Sequence, residues 1–329
     1  MTATAPLDEF QSVLAHSQPD WQRLVEVLTV GFVGSLMMTL SGWGSPNGGV
    51  PAHVRPMGVA VAVSGIAGLI AIIIAWLRSR KLVGRRVLTL VVWSLPLLFS
   101  PPLLSQDGWA YAAQGWILTQ GMDPYRVPQG LAEVLGKAVD TPWQATTAVY
   151  PPGSLWIQAA VVKIAHADPT WSVMLMRVPA LIGVALMVWA VPRLARYAGT
   201  DPDHALWLAV CCPLTTLSVV GGMHNDGLQV GLSLVALVVA IRLALIGRGW
   251  LGLVLGGAFV GLAGSVKQPG VLAGVGIVAL VHVNAVRHGG RRWLTRNCWT
   301  ALLARIAAGA IPALTVFGGI SAIHGLGMG

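Results

Sequence analysis

Asp107 stands at the head of the stretch Ser105-Gln-Asp-Gly-Trp-Ala-Tyr-Ala-Ala-Gln-Gly-Trp116, directly after the apolar run Val87 to Leu104. A carboxylate placed where an apolar segment meets a wet loop is suited to taking a proton from a hydroxyl, as a general base. Helical spacing puts Asp107, Tyr111 and Gln114 on one face of a short helix beginning at Asp107, with Trp109, Ala112 and Trp116 roughly on another. Such a helix is expected to lie along a bilayer surface, its aromatics toward lipid and the acid toward a polar cavity. The competing role for Asp107 is helix N-capping, a job Asp does well. Capping alone does not require the surrounding aromatics or the large loop that follows.

Further along, His224-Asn225-Asp226 fills a tight turn after Gly221 and Gly222. The glycines would end one helix, and Asn225 or Asp226 would cap the next. A cap accounts for one polar residue rather than three, so His224 or Asp226 is expected to serve a site. Lys267 interrupts an apolar stretch from Trp250 to Val283. A charge at mid-membrane costs roughly 2.5–3.5 kcal/mol on insertion scales. Before Gln268-Pro269 the ammonium either snorkels to the surface or pairs with a phosphate. Arg177 lies roughly 9 Å of helix into its apolar segment. It either reaches back outward or points into a cavity as a second candidate for a bidentate phosphate contact. Tyr150-Pro-Pro-Gly153 gives a rigid start to a short helix. Asp123-Pro124-Tyr125, Asp140 and Trp143 are loop positions suited to touching a sugar.

The elements that must position these groups are membrane spans. The chain is 55% hydrophobic and 10% charged, with a mean hydropathy of +0.71; a soluble domain carries about a quarter charged residues. Spans need about 20 mostly apolar residues. They are expected near 24–41, 57–77, 87–104, 171–191, 204–220, 227–246, 250–266, 269–286 and 300–320. A shorter segment, 152–166, reads as a re-entrant or interfacial helix, with a short crossing as the alternative. If it does not cross, only Arg55, Arg126, Lys137, Lys163, Arg177 and Lys267 of the 21 lysines and arginines fall outside, as the positive-inside rule favours. Asp107, His224, Asp226, Lys267 and His324 then share the extracytoplasmic side. The net charge of +9 follows from those clustered cations, and nucleic acid is not expected as a partner. No cleaved signal peptide is expected, because Asp8, Glu9 and Asp20 occupy a start without a basic region. Cys211, Cys212 and Cys298 form no disulfide or zinc pattern. Gly252/Gly256, Gly257/Gly261 and Gly270/Gly274 are small-xxx-small pairs that let helices approach closely. The expectation is an all-α polytopic bundle of about nine or ten spans, a single transmembrane domain over 1–329. Its large outer loop, 104–151, carries short amphipathic helices.

Taken together, Asp107 to Gly115, Gly121-Met-Asp-Pro-Tyr125, Tyr150-Pro-Pro-Gly153, Arg193-Leu-Ala-Arg196, Gly221 to Gly227 and Val266-Lys-Gln-Pro269 form a set. Their order and spacing resemble the actinobacterial polyprenol-phosphate-mannose-dependent α-1,6-mannosyltransferases, membrane glycosyltransferases of the GT-C class. The likeness covers about 85–325. It implies a polyprenyl-phosphate mannose donor, a mannan or lipomannan acceptor outside the plasma membrane, and an acidic base in the first large outer loop, a position Asp107 matches. In an inverting single displacement, Lys267, Arg177 or His224 would steady the charge left on the lipid phosphate. Tyr111, Tyr125, Tyr150, Asn225 and Asp226 complete the expected substrate contacts. No cofactor is expected, with a divalent metal left open. The family continues through further spans, so the chain is expected to be C-terminally truncated at Gly329. A secondary transporter or a noncatalytic lipid-handling protein are the other readings. A transporter would favour polar sites near mid-membrane in two related halves.

Overall fold

A computed structural model describes residues 20–44, 58–288 and 296–323, which contain helices and no strand. In chain order these are α1 (Asp20–Gly44), α2 (Gly58–Ser79), α3 (Arg86–Leu97), α4 (Asp107–Thr119), α5 (Glu133–Ala138), α6 (Thr141–Gln144) and α7 (Pro152–Ile164). After α8 (Pro169–Leu175), α9 (Arg177–Tyr197) and α10 (Pro202–Ala209), a π-helical segment covers Leu214–Gly221. The chain ends with α11 (Asp226–Leu245), α12 (Gly249–Val266), a 3-10 stretch at Gln268–Leu272, α13 (Ala273–His288) and α14 (Arg296–Ala322). Among the described residues, seven spans are long and apolar enough to cross a membrane. Pro202–Ala209 and Leu214–Gly221 form a helix pair bent by 54° that is apolar enough for an eighth crossing if the two act as one span. The protein is a multi-pass membrane protein.

Lipid exposure is written into α2. Val59, Val63, Ile66, Ile70, Ile73 and Leu77 recur every three or four residues and are all exposed. In a soluble helix that stripe would face a core. The third expected run, Val87 to Leu104, departs from a full helix. Only Arg86–Leu97 is helical, 12 residues or about 18 Å. Pro96 lies in its last turn, and Pro101-Pro102 cannot continue the ladder because proline lacks an N–H.

Close backbone approach holds the later helices together. A Cβ on Gly252 would meet the carbonyl oxygen of Ala240 at 2.8 Å, and one on Gly257 the carbonyl oxygen of Gly309 at 2.3 Å. Gly256 and Gly261 face the carbonyls of Ala236 and Ala313 in the same way. The first two glycine pairs therefore seat α12 on α11 and α14. The third pair does not act so: Gly270 folds back on Ala263, and Gly274 has only ordinary contact with Val260 at 3.6 Å.

Arginines lock the two ends of the bundle. At one end the buried Arg86 donates to Asp203 Oδ2 at 2.7 Å and to the carbonyls of Ser79 and Arg80. Trp76 and Trp207 stack beside it, ring centroids 4.7 Å apart. At the other end Arg177 donates to the carbonyls of Leu98 (2.7 Å), Ser100 (2.7 Å) and Val220 (2.9 Å). The chain thus leaves the bundle after α3 and returns at α9 on the same end, so the intervening 152–166 makes no net crossing. Its helix, α7, has 13 residues, about 20 Å against a hydrocarbon core of about 30 Å.

Candidate active site

The site is built where the loop after α3 meets the turn before α11. Leu104 takes a left-handed backbone, φ 64°, and turns the chain toward α4. Leu103 N–H donates to the carbonyl of Gly221 at 3.2 Å, tying the two loops together. A Cβ on Gly222 would lie 2.5 Å from the carbonyl oxygen of Ser218 and 2.9 Å from that of Leu103, so this crossing requires glycine. Met223 also takes a left-handed conformation, φ 59°, and is buried against the core below α4.

Helix α4 is not the surface helix its aromatics suggest. Eight of its 13 residues are buried, including Ala112, and Trp109 and Trp116 pack partly buried against the same core. The physical reason is glycine again. Gly115 lets α4 lie against the main chain of α7, where a Cβ would come within 2.6 Å of the Gln158 carbonyl. Gly108 sits in the same way on Pro102. Asp107 at the exposed end of a buried helix is therefore fixed in place. It occupies the first helical position rather than the cap, where Gln106 makes no side-chain capping bond, and its own N–H donates to Ser105 Oγ at 3.1 Å. Neither Asn225 nor Asp226 caps α11: Asn225 holds the cap position but its side chain makes no capping bond.

These carboxylates are engaged with other side chains instead. His224 Nδ1 lies 3.3 Å from Asp107 Oδ2 and 3.9 Å from Asp226 Oδ2. Lys267, where α12 gives way to the 3-10 stretch, donates to both Asp226 oxygens at 2.9 and 2.8 Å. Tyr111 OH reaches Asp107 Oδ2 at 3.4 Å and Asn225 Oδ1 at 3.3 Å. Asn225 Nδ2 donates to Ser154 Oγ at 3.2 Å, which also accepts from Gln158 Nε2 at 3.1 Å. Tyr150 closes the rim, edge-on to Tyr111 with centroids 5.3 Å apart and 5.9 Å from Lys267 Nζ.

Electrostatics follow from these partners. The hydrogen bond from His224 holds the Asp107 carboxyl below its usual range, helped by Ser105 and Tyr111 and opposed by partial burial. Burial raises the Tyr111 phenol well above its ordinary value and pushes Tyr150 up to about 12. Both tyrosines therefore stay neutral, while Asp107 stays ionised, with its side chain about a third exposed (35%). An ionised, oriented and reachable carboxylate can accept a proton, and Lys267 has one of its three donors left after Asp226. Among the described residues, no three His, Cys, Asp or Glu side chains come together in a metal-holding group.

The structure brings together Asp107, Tyr111, Tyr150, His224, Asn225, Asp226 and Lys267. Arg177 and Tyr125 lie elsewhere. Arg177 is 3% exposed, its guanidinium spent on main-chain carbonyls that Pro101, Pro102 and the π-helical winding leave without helical partners. Arg177 thus clamps the loop after α3 to the turn before α11. Tyr125 donates to the carbonyl of Tyr150 at 2.8 Å and props the rim. Asp123 is taken up by the Tyr125 N–H and by Arg126. His324 lies outside the described residues. Ser154, Gln158 and Ser105 were missed by sequence reasoning. The i, i+4 pair Ser154 and Gln158 on the apolar α7 was a signal for two of them.

Comparison with known proteins gives the family. A family model described as alpha-(1->6)-mannopyranosyltransferase, N-terminal domain, matches residues 28–284. The alpha-(1->6)-mannopyranosyltransferase A of Mycobacterium tuberculosis is 34% identical over 91% of this chain and 59% of its own length. The A and B proteins of that name from Corynebacterium glutamicum are 35% and 28% identical, over 47% and 77% of this chain and 32% and 47% of their own lengths. The chain thus spans roughly a third to three-fifths of the length of these relatives. No solved structure matches it. With the matched region holding every residue of the carboxylate–histidine–lysine cluster, the chain belongs to the alpha-(1->6)-mannopyranosyltransferase family.

Proposed function

We propose that this chain transfers mannose from a polyprenyl-phosphate mannose to a hydroxyl of a mannan or lipomannan-type acceptor, on the extracytoplasmic side of the plasma membrane. The observation that carries the reading is Asp107: an exposed-tip carboxylate on a buried helix, held by His224 at 3.3 Å and by Tyr111. Asp107 takes the proton of the acceptor hydroxyl as its oxygen attacks the anomeric carbon. The bond to the lipid phosphate breaks on the opposite face, so configuration inverts. A product α-linked, as the relatives' names state for theirs, then requires a β-linked donor. Asp226, with both oxygens paired to Lys267, is assigned the role of holding that lysine rather than that of the base. The free Lys267 donor and His224 are the groups left to meet the departing phosphate, and preorganised charge of this kind dominates many catalysed steps. The lipid tail would lie between spans while its phosphate stays at the wet end. The outward assignment rests on the positive-inside rule, since the opposite end carries most of the arginines.

The test uses membranes carrying the protein, labelled polyprenyl-phosphate mannose and a short mannoside. Asp107→Asn should abolish transfer while the protein still folds. Wild-type transfer by that variant would remove the proposed base. Uptake of sugar into vesicles without transfer would point to a transporter instead.

A further inference from the structure

We propose that the end of the bundle opposite the carboxylate site binds the phosphate headgroup of an anionic phospholipid, in the basic turn joining α2 to α3. Two open hollows flank Lys81. One, of about 500 Å³, is lined by Arg23, Arg78, Arg80 and Lys81 with Glu26 and Leu77. The other, of about 650 Å³, is lined by Lys81 and Arg85 with Trp21, Leu24, Leu82 and Val83. Arg78 pairs with Glu26. Arg23, Arg80, Lys81 and Arg85 form no ion pair among the described residues; Arg80 only lies over the Trp207 ring, 5.7 Å from its centroid.

Charge needed only to orient the chain can ride on a loose loop. This turn is fixed from beneath. Leu82, 5% exposed, plugs into Val27, Ala75 and Trp93. Gly84 takes φ 75°, and its N–H donates to Asp203 Oδ1 at 2.7 Å. The buried Arg86 holds both that carboxylate and the carbonyls of Ser79 and Arg80. Arg80, Lys81 and Arg85 are therefore presented on a rigid frame, with Arg23 facing them from α1, rather than averaged over many positions. Phosphate oxygens suit such a group, since guanidinium forks bind them in pairs. Beside the cations, Trp21 (64%), Leu77 (55%) and Val83 (71%) offer exposed apolar surface for acyl chains. A basic pocket with an apolar wall at the end of membrane spans is the chemistry of a phospholipid headgroup site.

Native mass spectrometry of the full chain in zwitterionic detergent, titrated with phosphatidylglycerol or phosphatidylcholine, tests this. One phosphatidylglycerol should be retained per chain and phosphatidylcholine should not. Arg80→Gln/Lys81→Gln should weaken retention about thirtyfold, at the usual worth of two cations near an anionic surface. Arg23→Gln, on a different helix, should weaken it about fivefold, while Arg196→Gln, a cation outside the hollows, should leave it unchanged. Equal loss with Arg196→Gln would show diffuse attraction and overturn the site. So would undiminished retention in the double variant, or equal competition by inorganic phosphate, which would mean a free-anion site.

Discussion

Arg177→Met removes all five guanidinium donors while keeping much of the side chain's length. Three of its contacts, to the carbonyls of Leu98, Ser100 and Val220, are 2.7–2.9 Å long and enclosed. Hydrogen bonds to a charged group are worth about 1.5–3 kcal/mol each, and a carbonyl left buried without a donor costs about 1–3. Even at the low end, three such losses amount to about 4.5 kcal/mol, the scale of breaking a buried charge pair. The expected outcome is a large drop in thermal stability, read as loss of the monodisperse peak after heating. The segment 98–106 should also become open to proteolysis. Arg177→Lys should recover little, because a single ammonium cannot span three diverging carbonyls. Transfer should fall in step with folded protein. If Arg177→Met melts like wild type but raises the donor KM, the guanidinium faces the donor phosphate after all and the clamp is wrong.

His224→Ala takes away the largest cause of the lowered Asp107 value. The proton-accepting form prevails above that value and is lost as pH falls through it, so the acid limb of kcat/KM should shift upward toward the ordinary carboxylate range. The stability contribution has the same sign, present at neutral pH and lost in acid, so the pH dependence of melting should shift with it; unchanged limbs in both would refute the link. Lys267→Met should raise the donor KM and lower kcat, whereas Asp226→Asn, which frees the ammonium, should leave the donor KM no higher than wild type; steady-state kinetics with varied donor separate the two. Gly183→Ala places a Cβ 2.1 Å from the Gly227 carbonyl carbon and should destabilise the α9–α11 contact by about 1–3 kcal/mol. Gly274→Ala, with 3.6 Å of room, should be neutral in the same thermal assay.

The spans were legible because lipid exposure needs only a count of apolar residues. Each of the nine expected runs carries helix, and the alternation of cationic and polar ends placed Asp107, His224, Asp226 and Lys267 together before any coordinates did. What composition hides is which donors and acceptors the backbone has already consumed. Arg177 and Asp107 both read as polar groups at a span end, yet one is sealed under carbonyls and the other is a third exposed. That difference depends on Pro101, Pro102 and the π-helical turns leaving carbonyls without partners, a long-range fact. The same limit explains α4. Its tryptophans suggested a bilayer-surface helix, but the facing partner that Gly115 admits lies about 40 residues further along the chain, in α7.

The widened winding of Leu214–Gly221 acts as a vernier. Its hydrogen bonds reach one residue further than an α-helix allows, as from Gly222 N–H to the carbonyl of Leu217 at 2.8 Å. In an ordinary helix one residue is about 100° of rotation. Rewinding this segment to the α pitch, or excising one residue from it, would swing the imidazole of His224 round to another compass bearing and turn Leu217 and Val220 out of the core they fill. The bearing of His224 is thus set by the phase of a helix that lies outside the cluster.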